Sequence, residues 1–285
     1  MTKLKVAVVG AGGKMGTRTS NNLAKVDDFD LYLVESGEKG LKSIKDRGYT
    51  PYEAKDIIPQ MDVVVLAVPD TYIKVISEGI VALMAAGSGL LILDPAAAVA
   101  KELALRDDCT FGVVHPCHPS YFLDQDTYEA RHDYFGGMGG KQDIVMAKIQ
   151  GNDDCFAQMR LVSEKMFAPV EHSYVMEAKN IAFLEPTLVE LLGATCLYAM
   201  AETVKEAEKR GIQKEAAISF LTGHIYNLSA NFLGFLGNTP VSDACKVAIK
   251  LGDRLVLRDD WKQIWDDDVL DKVIATMLHP ENPKI

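Results

Sequence analysis

A short segment of the sequence gathers two histidines and a cysteine, in the order His115-Pro116-Cys117-His118-Pro119. Imidazole and thiol side chains bind metal ions and move protons, so the segment is a candidate for either chemistry. The prolines keep the chain extended, and side chains two positions apart in an extended chain share a face. His115 and Cys117 are therefore predicted to point one way and His118 the other, which disfavours a zinc site built from all three.

His115 is the main candidate of this segment because it ends a predicted strand, Gly112 to His115. Ligands of open α/β sheets bind at the carboxyl ends of the strands, where this imidazole would act as a metal ligand and catalytic residue. The alternative is a histidine that only closes the edge of the sheet through hydrogen bonds.

Glu185 is the second candidate, because its predicted helical neighbours Ile181, Leu188 and Val189 form an apolar stripe. A carboxylate on such a stripe is costly unless it meets a cation, a metal or a hydrogen-bond donor. The next residue, Pro186, bends or begins a helix. In the alternative interpretation, Pro186 occupies the first turn of a helix that Glu185 merely caps.

One histidine and one carboxylate leave several coordination positions open, which suits a divalent ion that also chelates a polyhydroxy acid. His115 and Glu185 are thus candidate ligands of one divalent metal ion, with substrate oxygens and water completing its shell. The sequence does not choose between Zn, Mg, Mn and Ca.

Three further features have two interpretations each. Lys179 is either a proton shuttle or carboxylate counter-ion, or a solvated charge on a helix. The glycines of residues 136–140 either cradle a carboxylate with backbone N–H groups or form a long turn. His224 lies among helix residues that we expect to pack in a core or against a second subunit, with substrate contact as the second choice.

The first predicted strand, Leu4 to Val9, runs into a glycine-rich turn that a predicted helix follows. Glycine permits a tight turn and brings the backbone close to a pyrophosphate, whose charge is stabilised by the free N–H groups at the helix N-terminus. An ordinary tight turn is the alternative. The candidate cofactor-binding residues of the turn are Gly10, Gly12, Gly13, Lys14, Met15 and Gly16.

Two acids follow the next strands. Glu35 ends the second predicted strand, about 20 residues after the glycines, where an acid bonds both ribose hydroxyls and repels a 2′-phosphate. It therefore favours NAD over NADP. Asp70 follows the third strand in a Pro-Asp turn. It is predicted to be the N-cap of a helix from Thr71 to Ala86, a cofactor contact, or both.

The order of the predicted elements indicates an α/β protein. Up to about residue 150, short β-branched runs alternate with helical stretches, which predicts a Rossmann-like, mostly parallel sheet covered on both faces. The later residues have helical spacing. We expect an NAD-binding Rossmann-like domain over residues 1–170 and an all-α C-terminal domain over 171–285.

The chain of 285 residues has a formal net charge of −10 and scattered Lys and Arg residues, which argues against a nucleic-acid partner. Five spaced cysteines without a CxxC motif predict reduced thiols. We recognise neither a signal peptide nor an apolar run approaching about 20 residues, and expect a cytoplasmic protein without a membrane partner. Apolar residues between Phe220 and Leu236 predict a homodimer.

Several motifs resemble those of one superfamily. The turn Gly10–Gly16 resembles that of dihydrodipicolinate reductases and of the 6-phosphogluconate and β-hydroxyacid dehydrogenases. The segments Glu206–Ile212 and Phe220–Ile225 resemble the helical C-terminal domain of phosphogluconate-dehydrogenase-like proteins, which extends the resemblance over nearly the whole chain. Within this superfamily, three segments are most similar to sugar-acid oxidoisomerases: His115–Pro119, Gly139–Asp143 and Phe183–Pro186.

The resemblance implies NAD-dependent oxidation and isomerisation of a branched sugar acid, with His115 and Glu185 as ligands of the metal that holds it. One departure argues against simple Lys-dependent dehydrogenation: β-hydroxyacid dehydrogenases carry Lys-x-x-x-Asn, whereas Lys179 is followed by Phe183. Two alternatives stay open. One is a β-hydroxyacid dehydrogenase that acts without metal or with decarboxylation, using Lys179 as its acid/base group; the other is a non-catalytic NAD-sensing protein.

Overall fold

The computed structural model describes residues 3–284, which form two compact units. One unit comprises Met1–Leu184 and Asp271–Ile285, and the other comprises Glu185–Leu270.

Eight strands among the described residues form one sheet in the first unit. In chain order they are β1 Leu4–Val9, β2 Phe29–Val34, β3 Pro51–Tyr52, β4 Val63–Leu66, β5 Gly89–Ile92, β6 Thr110–Pro116, β7 Gln142–Gln150 and β8 Val170–Val175. Across the sheet the order is β3-β2-β1-β4-β5-β6-β7-β8. Every neighbouring pair is parallel except β6 and β7. The predicted Rossmann-like, mostly parallel sheet is confirmed.

The centre of the sheet is covered on both faces. Every residue of β4 and β5 is buried, which explains why these strands are apolar at successive positions instead of alternating. The helices of this unit are α1 Lys14–Leu23, α2 Glu38–Asp46, α3 Ala54–Ile57, α4 Asp70–Leu83, α5 Ala96–Val99, α6 Tyr128–Arg131, α7 Asp153–Met166 and α8 Ala178–Ala182, with a 3-10 turn at Ile58–Gln60.

The last strand was not expected from the sequence. β8 pairs in parallel with β7 and so attaches residues beyond 170 to the sheet. The compact units divide the chain between Leu184 and Glu185 instead. The sequence-based domain boundary at residue 170 stays a prediction.

A continuous helical stretch follows β8. It begins with α8, continues as a π-helix over Phe183–Ala194, and ends with α9, Thr195–Lys209. Pro186 lies inside the π-helical part, where a residue without an N–H loosens the α-helical hydrogen bonding, so it does not occupy a first turn. By length and composition alone, Ala178–Lys209 could cross a membrane, so helix length does not by itself exclude one.

The second unit is helical, as predicted. It contains α9, α10 Lys214–Phe232, α11 Asp243–Leu255, a 3-10 turn at Trp261–Trp265 and the start of α12, Asp267–Leu278. α9 and α11 contain no buried residue, and α10 buries only Ala230. The apolar side chains of these helices are therefore largely exposed.

Candidate active site

The turn between β1 and α1 requires glycine, as Gly10 and Gly16 illustrate. Gly10 has a φ of +78°, and a Cβ there would stand 2.5 Å from the carbonyl oxygen of Ala67. A Cβ on Gly16 would stand 2.1 Å from the carbonyl oxygen of Gly10. Only glycine fits these positions, so the turn closes tightly and brings its backbone to the start of α1.

Backbone amides hold Glu35 at the end of β2. Its Oε2 accepts a hydrogen bond from Gly12 N at 3.1 Å, and its Oε1 accepts from Ser36 N at 2.9 Å and Gly37 N at 3.0 Å. A Cβ on Gly40 would lie 2.4 Å from the same carboxylate, so a glycine is required where α2 passes it. The carboxylate is thus fixed beside the glycine turn.

A cavity of about 440 Å³ opens next to Glu35. Its walls are mostly apolar, which suits the adenosine part of a dinucleotide, and the lining residues include Val9, Gly10, Val34, Glu35, Val68 and Ile80. Arg47, which the sequence analysis did not single out, donates to Ala11 O at 2.9 Å and to Ser20 Oγ at 2.9 Å. It braces the glycine turn through these bonds.

Asp70 is the first residue of α4, whose N-cap is Pro69 with no side-chain capping bond. The interpretation of Asp70 as the N-cap is therefore wrong. Burial, and after it the nearby Asp94 carboxylate, raise the pKa of Asp70 to about 7, although His115 acts in the opposite direction. Asp70 lies in an acidic neighbourhood at the carboxyl edge of the sheet.

His115 and Asp94 form the core of a candidate metal centre. His115 lies near the end of β6, and its Nδ1 is 2.8 Å from Leu93 O. A carbonyl only accepts, so Nδ1 carries the hydrogen and Nε2 is the lone-pair nitrogen, which is how ligating histidines are usually oriented. Asp94 follows β5, and a ligand atom of each residue lies within 4.8 Å of the other.

Asp94 was missed at the sequence level, although a signal for it existed. It directly follows the predicted strand Leu90 to Leu93, the same position relative to a strand that singled out Asp70. The carboxyl ends of parallel strands meet at one edge of a sheet, so the three strand ends holding Asp70, Asp94 and His115 are neighbours.

Glu185 and Lys179 lie on the helical stretch after β8. Lys179 is an exposed residue of α8, with Nζ 5.9 Å from the centre of the Phe183 ring. Glu185 belongs to the π-helical part and directly follows Leu184, where the first unit breaks off. Single π-helical turns occur frequently at functional sites.

His118 departs from the expected geometry. Its φ is 61°, a left-handed conformation that turns the chain, and its ring centre lies 6.4 Å from that of His115. The expected separation of the two histidines onto opposite faces is therefore wrong. Burial lowers the pKa of His118, and Arg18, His115 and Lys14 lower it further, against a backbone hydrogen bond to Phe135 that raises it.

The glycine-rich loop 136–140 is occupied by a carboxylate of the chain itself. Asp133, which is only 2% exposed, accepts from Gly136 N at 2.8 Å, Met138 N at 2.7 Å and Gly140 N at 3.0 Å. Burying a carboxylate is costly unless hydrogen-bond donors such as these satisfy its oxygens. The loop does cradle a carboxylate, but an internal one.

His224 lies in the second unit, on α10. It is exposed, its Nδ1 is 2.7 Å from Phe220 O, and its ring stacks on that of Phe220 at 4.1 Å. His224 does not belong to a packed core. Two interpretations of it remain, an interface residue or a substrate contact.

Two family models match adjoining parts of the chain. The model of the acetohydroxy acid isomeroreductase NADPH-binding domain matches residues 1–133. The model of the C-terminal domain of phosphogluconate dehydrogenase (decarboxylating) matches residues 123–278.

Curated relatives match over nearly the full chain. The chain is 72% identical to the D-apionate oxidoisomerase of Blautia hydrogenotrophica, covering 100% of both proteins. It is 39% identical to the D-apionate oxidoisomerase of Pectobacterium atrosepticum, covering 96% of this chain and 95% of the relative.

A crystal structure of a semialdehyde dehydrogenase NAD-binding protein from Cupriavidus necator, in complex with calcium and NAD, superposes with a TM-score of 0.92 at 40% identity, covering 96% of this chain and 99% of that one. An NADH-preferring ketol-acid reductoisomerase from an uncultured archean shares the fold, with a TM-score of 0.66 at 17% identity, covering 98% of this chain and 84% of that one. The chain is therefore an oxidoreductase-type enzyme that belongs to the D-apionate oxidoisomerase family.

Proposed function

We propose that this enzyme oxidises D-apionate with NAD and isomerises the product to 3-oxo-isoapionate. The observation that carries this proposal is the 72% identity, over the whole chain, to an enzyme named D-apionate oxidoisomerase. The pair of Asp94 and His115 at the carboxyl edge of the sheet supplies a place for a polyhydroxy acid to be held.

The two steps balance without another reagent. NAD, when bound, accepts the hydride from C2 while the C2 hydroxyl loses its proton, which gives a 2-oxo acid. The C3 hydroxyl then loses its proton, and the hydroxymethyl group migrates from C3 to C2. C3 becomes the new ketone, and the oxygen on C2 takes up a proton.

The NAD site is assigned to the glycine turn and the cavity beside it. The backbone of Gly10, Gly12, Gly13, Lys14, Met15 and Gly16 would face the pyrophosphate, and Glu35 would bond the adenosine ribose. Arg47 is committed to Ala11 O and is therefore not placed to pair with a 2′-phosphate. Asp70 remains a candidate cofactor contact. This donor set favours NAD over NADP.

Asp94, His115 and Glu185 are the proposed ligands of one divalent metal ion. The carboxylate and imidazole atoms of the first two lie within 4.8 Å of each other, and the His115 hydrogen bond to Leu93 leaves Nε2 as the ligand atom. Bound there, the ion would polarise a substrate carbonyl and stabilise an alkoxide. The relative from C. necator was crystallised with calcium.

His115, Lys179 and Glu185 are the proposed catalytic residues. His115 and Glu185 would fix the substrate through the ion, so that its C2 and C3 oxygens stay on the same side. The exposed ammonium of Lys179 would exchange a proton with a substrate oxygen or pair with the carboxylate.

We further propose a cytoplasmic homodimer that uses α9–α11 as its interface. These helices expose large apolar side chains, among them Leu197, Tyr198, Phe220, Tyr226, Phe232, Leu251 and Leu255. A second copy is favoured over a lipid surface because α9 also carries the ion pairs Glu202–Lys205 and Glu206–Lys209. A net charge of −10 disfavours nucleic acid.

Sedimentation analysis tests the dimer, and washing of the cell membranes tests the location. We expect a dimer and no enzyme in the washed membranes. A monomer at micromolar concentration, or a membrane-retained protein, would contradict this part of the proposal.

Product analysis by NMR tests the reaction. The enzyme is incubated with NAD, D-apionate and a divalent metal, and we expect NADH together with the rearranged carbon skeleton. A chelator is expected to stop the reaction, and separate additions of Mg, Mn, Ca and Zn then identify the ion. A simple 2-oxo acid, released carbon dioxide, or chelator-insensitive turnover would favour a β-hydroxyacid dehydrogenase; NAD binding without turnover would favour an NAD sensor.

A further inference from the structure

Phe135 lies among two cationic side chains and one imidazole in the first unit. Lys14 Nζ is 3.7 Å from the centre of its ring, Arg18 Cζ is 4.8 Å away, and the centre of the His118 ring is 5.4 Å away. Lys14 and Arg18 are one turn apart on α1 and share a face. We call these four residues the Phe135 cluster. It concentrates positive charge in a chain whose net charge is −10.

His118 offers a hydrogen-bond acceptor in this cluster. Its Nδ1 is 2.7 Å from Phe135 O, which can only accept, so Nδ1 carries the hydrogen. In the neutral ring Nε2 is then an acceptor, suited to the hydrogen of a hydroxyl group. The left-handed φ of 61° is uncommon for a residue other than glycine, and it fixes the direction in which the side chain leaves the backbone.

Lys14 offers a donor with full charge. It is exposed, and within residues 3–284 its side chain makes a cation-π contact with Phe135 and no ion pair. Arg18, in contrast, is 5% exposed and donates to Gln142 Oε1 at 2.6 Å. Arg18 is therefore a buried neighbour of the ring, while Lys14 is accessible to an anion from solvent.

The position of the cluster points to the substrate. The ring centres of His118 and His115 lie 6.4 Å apart, so the cluster adjoins the candidate metal centre. Lys14 also begins α1, directly after the glycine turn. An acid held here would lie between the proposed metal and the cofactor turn.

We infer that Lys14 and His118 form a subsite for a hydroxycarboxylate anion, in which Lys14 Nζ binds the carboxylate and His118 Nε2 accepts the hydrogen of a hydroxyl group. The inference rests on the proposed function, because it assigns two polar groups of the substrate. Lys14 then has two roles, because its backbone faces the cofactor and its side chain faces the substrate. The pyrophosphate of NAD is the other anion that Lys14 Nζ would suit.

Steady-state kinetics with saturating NAD and metal separates these two anions. Lys14→Met is expected to raise the KM for D-apionate at least about tenfold, the size of a charge-assisted hydrogen bond, and to change the Kd for NADH less than about twofold. Lys165→Met, an exposed lysine at the end of α7, is the matched control and should change neither value. A weaker Kd for NADH with an unchanged KM would place Lys14 on the cofactor and overturn the inference.

A pair of unreactive ligands tests His118 without turnover. Calorimetry of the NAD-loaded enzyme in chelator compares 2-hydroxyisobutyrate, whose tertiary hydroxyl cannot be oxidised, with isobutyrate. The wild type should bind the hydroxy acid at least about fivefold more tightly, a difference of about 1 kcal/mol that one hydrogen bond supplies. Lys14→Met should weaken both ligands.

Two substitutions at His118 keep the test independent of folding. His118→Gly adopts the left-handed φ without strain and should abolish the preference for the hydroxy acid; His118→Asn also tolerates it and should restore part of the preference through its amide oxygen. Equal binding of both acids by the wild type, no binding of either, or a preference that survives His118→Gly would overturn the inference. None of these readouts requires D-apionate to be the substrate, so a failure of the proposed function is recognised separately.

Discussion

Two glycine-rich segments of the first unit look alike in sequence but use their backbone amides differently. The turn over residues 10–16 closes between β1 and α1, and its Gly12 N is paired with the carboxylate of Glu35 at the edge of a cavity. In the loop over residues 136–140, three backbone amides donate hydrogen bonds to the buried Asp133. Glycine content therefore indicates that a backbone can approach a carboxylate. A carboxylate that borders a cavity, like Glu35, marks a candidate ligand site, and a buried one, like Asp133, marks a structural loop.

The largest effect is expected at Gly10. Gly10→Ala should weaken NADH binding at least about 100-fold, because a left-handed φ and a contact between Cβ and Ala67 O force the turn to move. Fluorescence titration with NADH measures this. Gly252→Ala, on α11, is the matched control, since an added Cβ there meets nothing within 4 Å and the NADH affinity should hardly change. Wild-type affinity in Gly10→Ala would remove the distinction between the two segments.

The second effect tests whether the 136–140 loop is structural. Asp133→Ala should lower the free energy of unfolding by about 3 kcal/mol, because three loop amides lose their buried acceptor. Urea denaturation checks it. Asp126→Ala, an exposed carboxylate paired with Lys141, is the control and should cost less than about 1 kcal/mol. A loss of NADH affinity with unchanged stability in Asp133→Ala would mean that the loop serves the cofactor.

A smaller effect is expected at Glu35. Glu35→Gln should lower the ratio of kcat/KM for NAD to that for NADP about tenfold, since the neutral amide no longer repels a 2′-phosphate. Steady-state kinetics with both cofactors gives the ratio, and Glu38→Gln, in the first turn of α2, is the control. If the ratio stays constant, the carboxylate beside the first turn has only a structural task, like Asp133.

The smallest effect is expected in the pH dependence of stability, and it concerns Asp70, another carboxylate of the first unit. Burial first, and then Asp94, raise its pKa from an ordinary value of 3.8 to about 7. The folded state therefore holds the proton more tightly than the unfolded chain, and the stability that this contributes is present below about pH 4 and lost as the pH rises through about 7.

Asp70→Asn should remove this dependence. In chelator, its stability advantage over the wild type should grow by about 1 kcal/mol between pH 6 and pH 8. Melting temperatures across that range measure it. Parallel curves for the two proteins would show that Asp70 has an ordinary pKa.

The sequence predicted those features that depend on local spacing. The glycine turn, Glu35 and His115 were found because each ends or directly follows a strand, and the apolar residues of that strand make it recognisable in the sequence. Asp94 could have been found by the same rule, since it directly follows the predicted strand Leu90 to Leu93.

Other features depend on contacts between residues far apart in the chain. Sequence spacing does not predict the hydrogen bonds from Arg47 to Ala11 or from the 136–140 loop to Asp133. It does not predict the pairing of β8 with β7 either. The prolines near His118 favoured an extended chain, so its left-handed backbone conformation was not predicted.

The antiparallel pairing of β6 and β7 has a consequence for engineering. Pro116 is paired with Ile144, and Cys117 N donates to Asp143 O at 2.9 Å, so the excursion between these strands begins and ends at one fixed point. Lengthening a closed loop costs little free energy, because its closure entropy grows only with the logarithm of its length. Exchanging residues 118–141 between family members should therefore leave the sheet intact, and the exchanged enzymes would show how much of the acid selectivity depends on His118 and Phe135.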